Sequence, residues 1–202
     1  MKKILSSKLI FIITLSLQVV IFAFLLSKNI MLKNNAVKNN RIYAFSCTLY
    51  DPYNVLKGRY VRLENAQETV NLKDLDFESI NKENAKNLIK NESVFLLIKP
   101  DSNGIWNVYG IRKHKPKSGD FIKAKFNYST KKSCYFDFSI NEYYMQENFA
   151  EYVDKTGFKE ISSMKIEVYC DKNGNLLQKQ LYVQNGSTYI PIENYIKDKL
   201  AE

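Results

Sequence analysis

Asp51-Pro52-Tyr53-Asn54-Val55-Leu56-Lys57-Gly58-Arg59-Tyr60-Val61-Arg62-Leu63 reads as a tight turn, a glycine and then a strand. Pro52 fixes φ for a turn position, and the Asp51 carboxylate can accept from nearby backbone N–H groups. Gly58 supplies a backbone angle that a side chain resists. From Arg59 onward the side chains alternate, with Arg59, Val61 and Leu63 on one face and Tyr60 and Arg62 on the other. Turns followed by short alternating runs recur along the chain. The fold class is therefore mainly β: a barrel-like domain, closed or half-closed, with one or two short helices.

Ile42 to Tyr50, before the turn, is rich in aromatic and β-branched residues and predicts a strand. Beyond it, Asp76 to Asn91 is polar with a thin stripe of Ala85, Leu88 and Ile89, which predicts a helix. Ser93 to Pro100 is a continuous apolar run, hence a buried strand. Asp101-Ser102-Asn103-Gly104 then leads to Ile105–Arg112, a hairpin by its Asn-Gly pair. Pro116 to Asp120 makes a turn before a strand from Phe121 to Tyr128. Cys134 to Met145 alternates, with Phe136, Phe138 and Ile140 on one side. Glu147 to Lys155 predicts a short helix with Phe149, Tyr152 and Val153 on one stripe and Gly157 closing it. Met164–Cys170, the turn Asp171-Lys172-Asn173-Gly174 and Leu176–Val183 form a second Asn-Gly hairpin. Ile192 to Leu200 adds terminal helical turns. The two Asp-x-Asn-Gly turns lie between strands and lack the spacing of a calcium loop, so plain hairpins are expected.

The N-terminus predicts a single membrane helix. From Leu9 to Leu26 the run is apolar, broken by Thr14, Ser16 and Gln18 and by no charge. At about 1.5 Å per residue it reaches about 27 Å, close to a hydrocarbon core. It is longer than a secretory h-region, and Leu25-Leu26-Ser27-Lys28 offers no small-residue cleavage pattern, so an uncleaved signal anchor is expected. A secreted soluble binding protein, released by cleavage, is the alternative. Lys2, Lys3 and Lys8 precede the span and Lys28, Lys33 and Lys38 follow it, which leaves orientation to the default: N-terminus in the cytoplasm, the remainder outside. The expected organisation is an anchor over 1–27, a polar, asparagine-rich stalk over 28–41 and one extracytoplasmic β-rich domain over 42–202.

The net charge is +9, but the basic residues are scattered rather than banded. Nucleic acid is not an expected partner, whereas the lipid bilayer is. Three cysteines and one histidine, with no C-x-x-C spacing, exclude the common zinc patterns and suggest no cofactor. Ala44-Phe45-Ser46-Cys47 hints at a lipid-attachment site but lies too far beyond the apolar run. If two cysteines oxidise outside the cytoplasm, Cys134 and Cys170 are the expected pair; the alternative is three buried thiols. No G-x-S-x-G elbow, Walker loop or dinucleotide-binding glycine pattern occurs.

The motif that opens this section resembles the signature of the bacterial GDYXXLXY family. Val94 to His114, with its Asp-x-x-Gly turn and Trp106, is similar to the family's hairpin. Phe136 to Glu147 is similar to its second aromatic segment, which ends in Tyr143, Tyr144 and Glu147. Gly186 after Leu181-Tyr182-Val183 fits its last strand and turn. The resemblance covers roughly residues 42–190. It implies a membrane-anchored protein with an extracytoplasmic domain, of unsettled biochemical activity, with a multi-spanning membrane protein as partner. Two positions depart: the family's acidic residue after the glycine is Arg59, and its final tyrosine is Asn65. The chain also bears a weaker likeness to membrane-anchored signal peptidases, through Asp51–Leu63 and Pro116–Ile122. The place of their serine is taken by Leu49-Tyr50, and Ser46 lacks the sequence context.

The reading is a non-catalytic, membrane-anchored binding or assembly module of a cell-envelope complex. The alternative is a membrane-anchored hydrolase, signal-peptidase-like or otherwise. The surface expected to matter joins Asp51, Pro52, Gly58, Arg59, Tyr60 and Leu63 to Tyr143, Tyr144 and Glu147, because tyrosine and arginine combine contact area with a polar tip.

Overall fold

The computed structural model describes residues 7–49, 60–73, 75, 88–156, 161 and 163–201. Helix α1, Ser7–Lys38, is followed by strand β1, Ile42–Leu49. Next come β2 (Tyr60–Asn65), a single 3-10 turn (Ala66–Glu68), β3 (Thr69–Asn71), β4 (Ser93–Pro100) and β5 (Trp106–Arg112). The remaining elements are β6 (Phe121–Ser129), β7 (Ser133–Asp137), β8 (Glu142–Tyr144), α2 (Glu147–Thr156), β9 (Met164–Cys170), β10 (Leu176–Asn185), β11 (Thr188–Pro191) and α3 (Ile192–Ala201). The domain is β-rich, as its alternating runs imply. The helix expected from Asp76 lies largely outside the described residues.

The strands form two antiparallel sheets, one in the order β11-β10-β9-β1-β2-β8 and the other β3-β7-β6-β4-β5. In β9 every second residue is buried, from Met164 through Ile166 and Val168 to Cys170. That alternation sends one face into a core shared with Phe45, Leu63, Leu96, Ile111, Ile122 and Leu181. Each such side chain contributes about 1.5–3 kcal/mol when withdrawn from water. Helices α2 and α3 add Phe149, Val153, Ile192 and Ile196 to the same core.

Two chain segments pass from one sheet to the other side by side. The first runs from β2 through the 3-10 turn into β3, and the second from β7 through Phe138–Asn141 into β8. β2 pairs with β8 and β3 with β7, so the crossings form one corner. The alternating stretch from Cys134 to Met145 is divided here between β7 and β8. Phe136, Phe138 and Ile140 are all buried, yet Ser139 takes φ 57° and breaks the strand in two. The apolar alternation persists through the bend because the core wraps around it.

α1 also differs from expectation at its C-terminal end. The segment read as a stalk is helical to Lys38. Leu32 and Ala36 are buried, and their face packs on β9 and β10. The helix ends on Asn40 at φ 52°, with the Arg41 N–H donating to the Ala36 carbonyl at 2.8 Å, a left-handed cap closed by asparagine. The Arg41 carbonyl accepts directly from the Cys170 N–H at 2.9 Å, so the cap runs straight into the sheet. Toward its N-terminus α1 presents exposed Leu, Ile, Phe and Val side chains, and it is long and apolar enough to cross a membrane.

Candidate functional site

The β2–β8 ladder joins the two aromatic segments that the sequence singled out. Its register sets Tyr60 opposite Tyr144, Val61 opposite Tyr143 and Arg62 opposite Glu142. The Tyr60 and Tyr144 rings lie with centroids 5.8 Å apart, a cross-strand aromatic pair. Leu63 is buried, and its N–H donates to the Asn141 carbonyl at 2.7 Å, anchoring the strand at the corner.

The three tyrosines divide into two roles. Tyr60 and Tyr143 are buried, whereas Tyr144 is 61% exposed. The Tyr143 hydroxyl donates to Glu193 Oε1 at 2.7 Å and accepts from Gln180 Nε2 at 3.2 Å. Gln180 Nε2 also donates to Glu193 Oε2 at 2.6 Å, which ties β8, β10 and α3 together. Burial, with the bond to Glu193, raises the Tyr143 pKa well above the ordinary phenol range. The Tyr144 hydroxyl donates to Glu142 Oε2 at 2.9 Å on the surface.

Two open grooves flank this seam. One, of about 440 Å³, is lined by Arg62, Glu64, Glu68, Tyr128, Tyr135 and Asn141 among others. The other, of about 520 Å³, is lined by Arg62, Asp137, Asn141, Glu142, Tyr144 and Gln178 among others. Arg62 and Asn141 belong to both, so the two read as one cleft along the corner. The Tyr128 and Tyr135 rings stack with centroids 4.2 Å apart and line the first groove.

Glu68 sits at the bend, where its Oε1 accepts from the Phe138 N–H at 3.2 Å. Burial drives its carboxyl up to about 7, against the bonds from Phe138, Asn65 and Asn141 that favour the charged form. Among the described residues, Asn141 Oδ1 and both amide atoms of Asn65 are buried and meet no hydrogen-bond partner. Asn65 is the departure from the signature's final tyrosine, and it is 1% exposed.

Asp51, Pro52, Gly58 and Arg59 lie outside the described residues. Glu147 opens α2, but its side chain lies outside them too. Cys47, Cys134 and Cys170 are free and buried. Cys134 on β7 and Cys170 on β9, the pair named for a disulfide against the alternative of three buried thiols, stand here as free thiols within the core. Burial pushes the Cys47 thiol up to about 12 and the other two up to about 11, away from the reactive thiolate. Ser46 lies opposite Lys165 in the β1–β9 register. Lys165 turns instead to two aromatic rings, with its Nζ 5.4 Å from the Tyr182 centroid and 4.7 Å from that of Tyr189. Among the described residues no group of three or more His, Cys, Asp or Glu side chains could hold a metal ion.

Sequence reasoning missed Glu68 and Asn141. Glu68 follows Asn65-Ala66-Gln67, a stretch with no periodicity, and its character comes from burial at the corner. A protein-family model described as GDYXXLXY protein matches residues 22–181. No curated protein and no solved structure matches the chain.

Proposed function

The chain belongs to the GDYXXLXY family, and from that premise we propose that it is a non-catalytic, membrane-anchored binding module. In this reading the domain stands on the extracytoplasmic side and presents the corner cleft to a partner protein of the cell envelope. The observation that carries it is the β2–β8 seam. Tyr144, largely exposed, stands beside Arg62 at the edge of an open cleft, backed by the buried Tyr60 and Tyr143. A rigid aromatic tip, a guanidinium and a fixed backing are the elements from which protein interfaces draw most of their affinity. The partner best suited to an anchored module is a multi-spanning membrane protein, since both would share the bilayer. Capture with the intact protein tests this: Tyr144→Ala should release the partner while leaving the melting temperature within about 2 °C. Retention of the partner by that variant contradicts the reading.

One observation favours a hydrolase instead. Glu68, raised to about 7, lines the cleft beside Asn141, and a carboxyl so tuned suits general acid–base work near neutrality. Turnover of a peptide by the purified protein, abolished in Glu68→Gln without loss of stability, would establish the enzyme and overturn the binding module.

A further inference from the structure

α1 and the β9–β10 turn enclose a second cleft, far from the corner in character. Its volume is about 650 Å³, and its walls include Phe24, Lys28, Met31 and Leu32 from the helix and Lys172 and Leu176 from the turn. The turn is held where it is. The Gly174 carbonyl accepts from the Lys123 N–H at 2.8 Å, and Lys115 Nζ donates to Asn173 Oδ1 at 3.1 Å.

Two gradients run through this cleft. The apolar one comes from the helix: Phe24 is 70% exposed and lies inside the uncharged run that ends at Leu26. The first cation after that run is Lys28, two residues past Leu26 and about one helical turn beyond Phe24. The charged one comes from the domain, which adds Lys172 to the same cleft and sets Lys115 against Asn173 of the same turn. Asp171, the acid in the turn, offsets one of these three lysines and leaves the cleft cationic. Its Oδ1 accepts from the Asn173 and Asn175 N–H groups, each at 2.8 Å, and its Oδ2 from Asn175 Nδ2 at 2.8 Å. The cleft is therefore apolar at the depth of hydrocarbon and cationic one turn above it, the profile of a phospholipid at the bilayer surface.

We propose that this cleft binds an anionic phospholipid, its phosphate against Lys28 and Lys172 and its first acyl carbons against Phe24, with Met31, Leu32 and Leu176 closing the notch on the domain side of the phosphate. The site rests on α1 crossing the bilayer, which the binding-module reading shares. Lipid bound there fills the notch between anchor and domain and fixes the domain's tilt over the membrane. Charge complementarity selects the occupant: a neutral zwitterionic lipid would leave both lysines without a net counter-charge.

The test uses the full chain in nanodiscs, of phosphatidylcholine alone or with phosphatidylglycerol added. Resistance to alkaline wash, measured first, reports insertion by itself, so failure there overturns the anchor and this site together. With insertion in place, native mass spectrometry should find phosphatidylglycerol retained over phosphatidylcholine. The double variant K28Q/K172Q should lose that preference by roughly tenfold or more. The charge-matched double variant K131Q/K132Q, on the exposed β6–β7 turn, should keep it. Equal loss in both variants would reduce the effect to net charge and overturn the site. Absence of any preference in the wild type, or a protein rather than a lipid cross-linked from position 172, would overturn it too.

Discussion

Asp101-Ser102-Asn103-Gly104 and Asp171-Lys172-Asn173-Gly174 are nearly the same turn, built twice. In each, the glycine N–H donates to the aspartate carbonyl, at 3.1 Å for Gly104 and 3.0 Å for Gly174. In each, the aspartate Oδ1 accepts two backbone N–H groups, from Asn103 and Ile105 in one turn and from Asn173 and Asn175 in the other. Both glycines take positive φ, 74° and 85°. Yet a Cβ on Gly104 would meet nothing within 4 Å, whereas one on Gly174 would lie 2.8 Å from the Lys123 nitrogen and 3.1 Å from the Ile122 carbonyl carbon. The first turn projects into solvent. The second is pressed onto β6 and beside α1. Turn chemistry is local and can be repeated; docking is a property of the whole fold.

Substitution at the two glycines should separate the turns most strongly. Gly174→Ala adds a backbone clash to the left-handed strain and should cost about 3 kcal/mol or more. Gly104→Ala carries the strain alone and should cost about 1 kcal/mol. Chemical denaturation of the full-length protein in detergent measures both, and equal losses would break the comparison.

The pH dependence of stability near neutrality should belong to the corner, not to either turn. Glu68 is raised from 4.5 in the unfolded chain to about 7 in the fold, so the folded state holds its proton more tightly. Its contribution is complete below about pH 4.5 and is lost as pH rises through about 7. Wild-type stability should fall from pH 5 to pH 8, and Glu68→Gln should flatten that slope. A slope unchanged by the substitution would assign it elsewhere.

At the acid side the open turn takes over. The Ile105 and Asn103 N–H groups hold the exposed Asp101 carboxyl below its usual range. Its contribution is present above the unfolded value of 3.8 and lost as pH falls through the lower folded value. Asp101→Asn should remove the acid-side slope and, above pH 5, lower stability by a small amount that no longer changes with pH. Smallest of all, Lys115→Ala should alter stability by no more than about 0.5 kcal/mol, because the Lys115–Asn173 bond joins exposed side chains and the Gly174–Lys123 backbone bond already seats the turn.

The hairpins were legible in the sequence because Asn-Gly pairs and two-residue alternation are written within a few residues of each other. The strands Ser93–Pro100 and Met164–Cys170 match their expected limits for that reason. The break at Ser139 was hidden, since burial keeps its period through the bend. So was the helical continuation to Lys38, where a buried Leu32 and Ala36 decide the matter against an asparagine-rich composition. The meeting of Tyr60 with Tyr144 depends on a pairing between strands distant in sequence. Family resemblance pointed to both segments; the ladder that joins them required the fold. Glu68 had no signal at all, because an acid in a polar stretch looks solvated until the corner closes over it.

The cleft at the corner and the solvent-facing turn give the most direct test of the binding reading. A photo-crosslinking side chain placed at Tyr144 or at Asn103 in the intact protein, irradiated in its native membranes, reads both sites in one experiment. The account predicts a discrete adduct with a membrane protein from position 144 and none from position 103. Silence from both positions in a folded, inserted protein, or the same adduct from each, would contradict it.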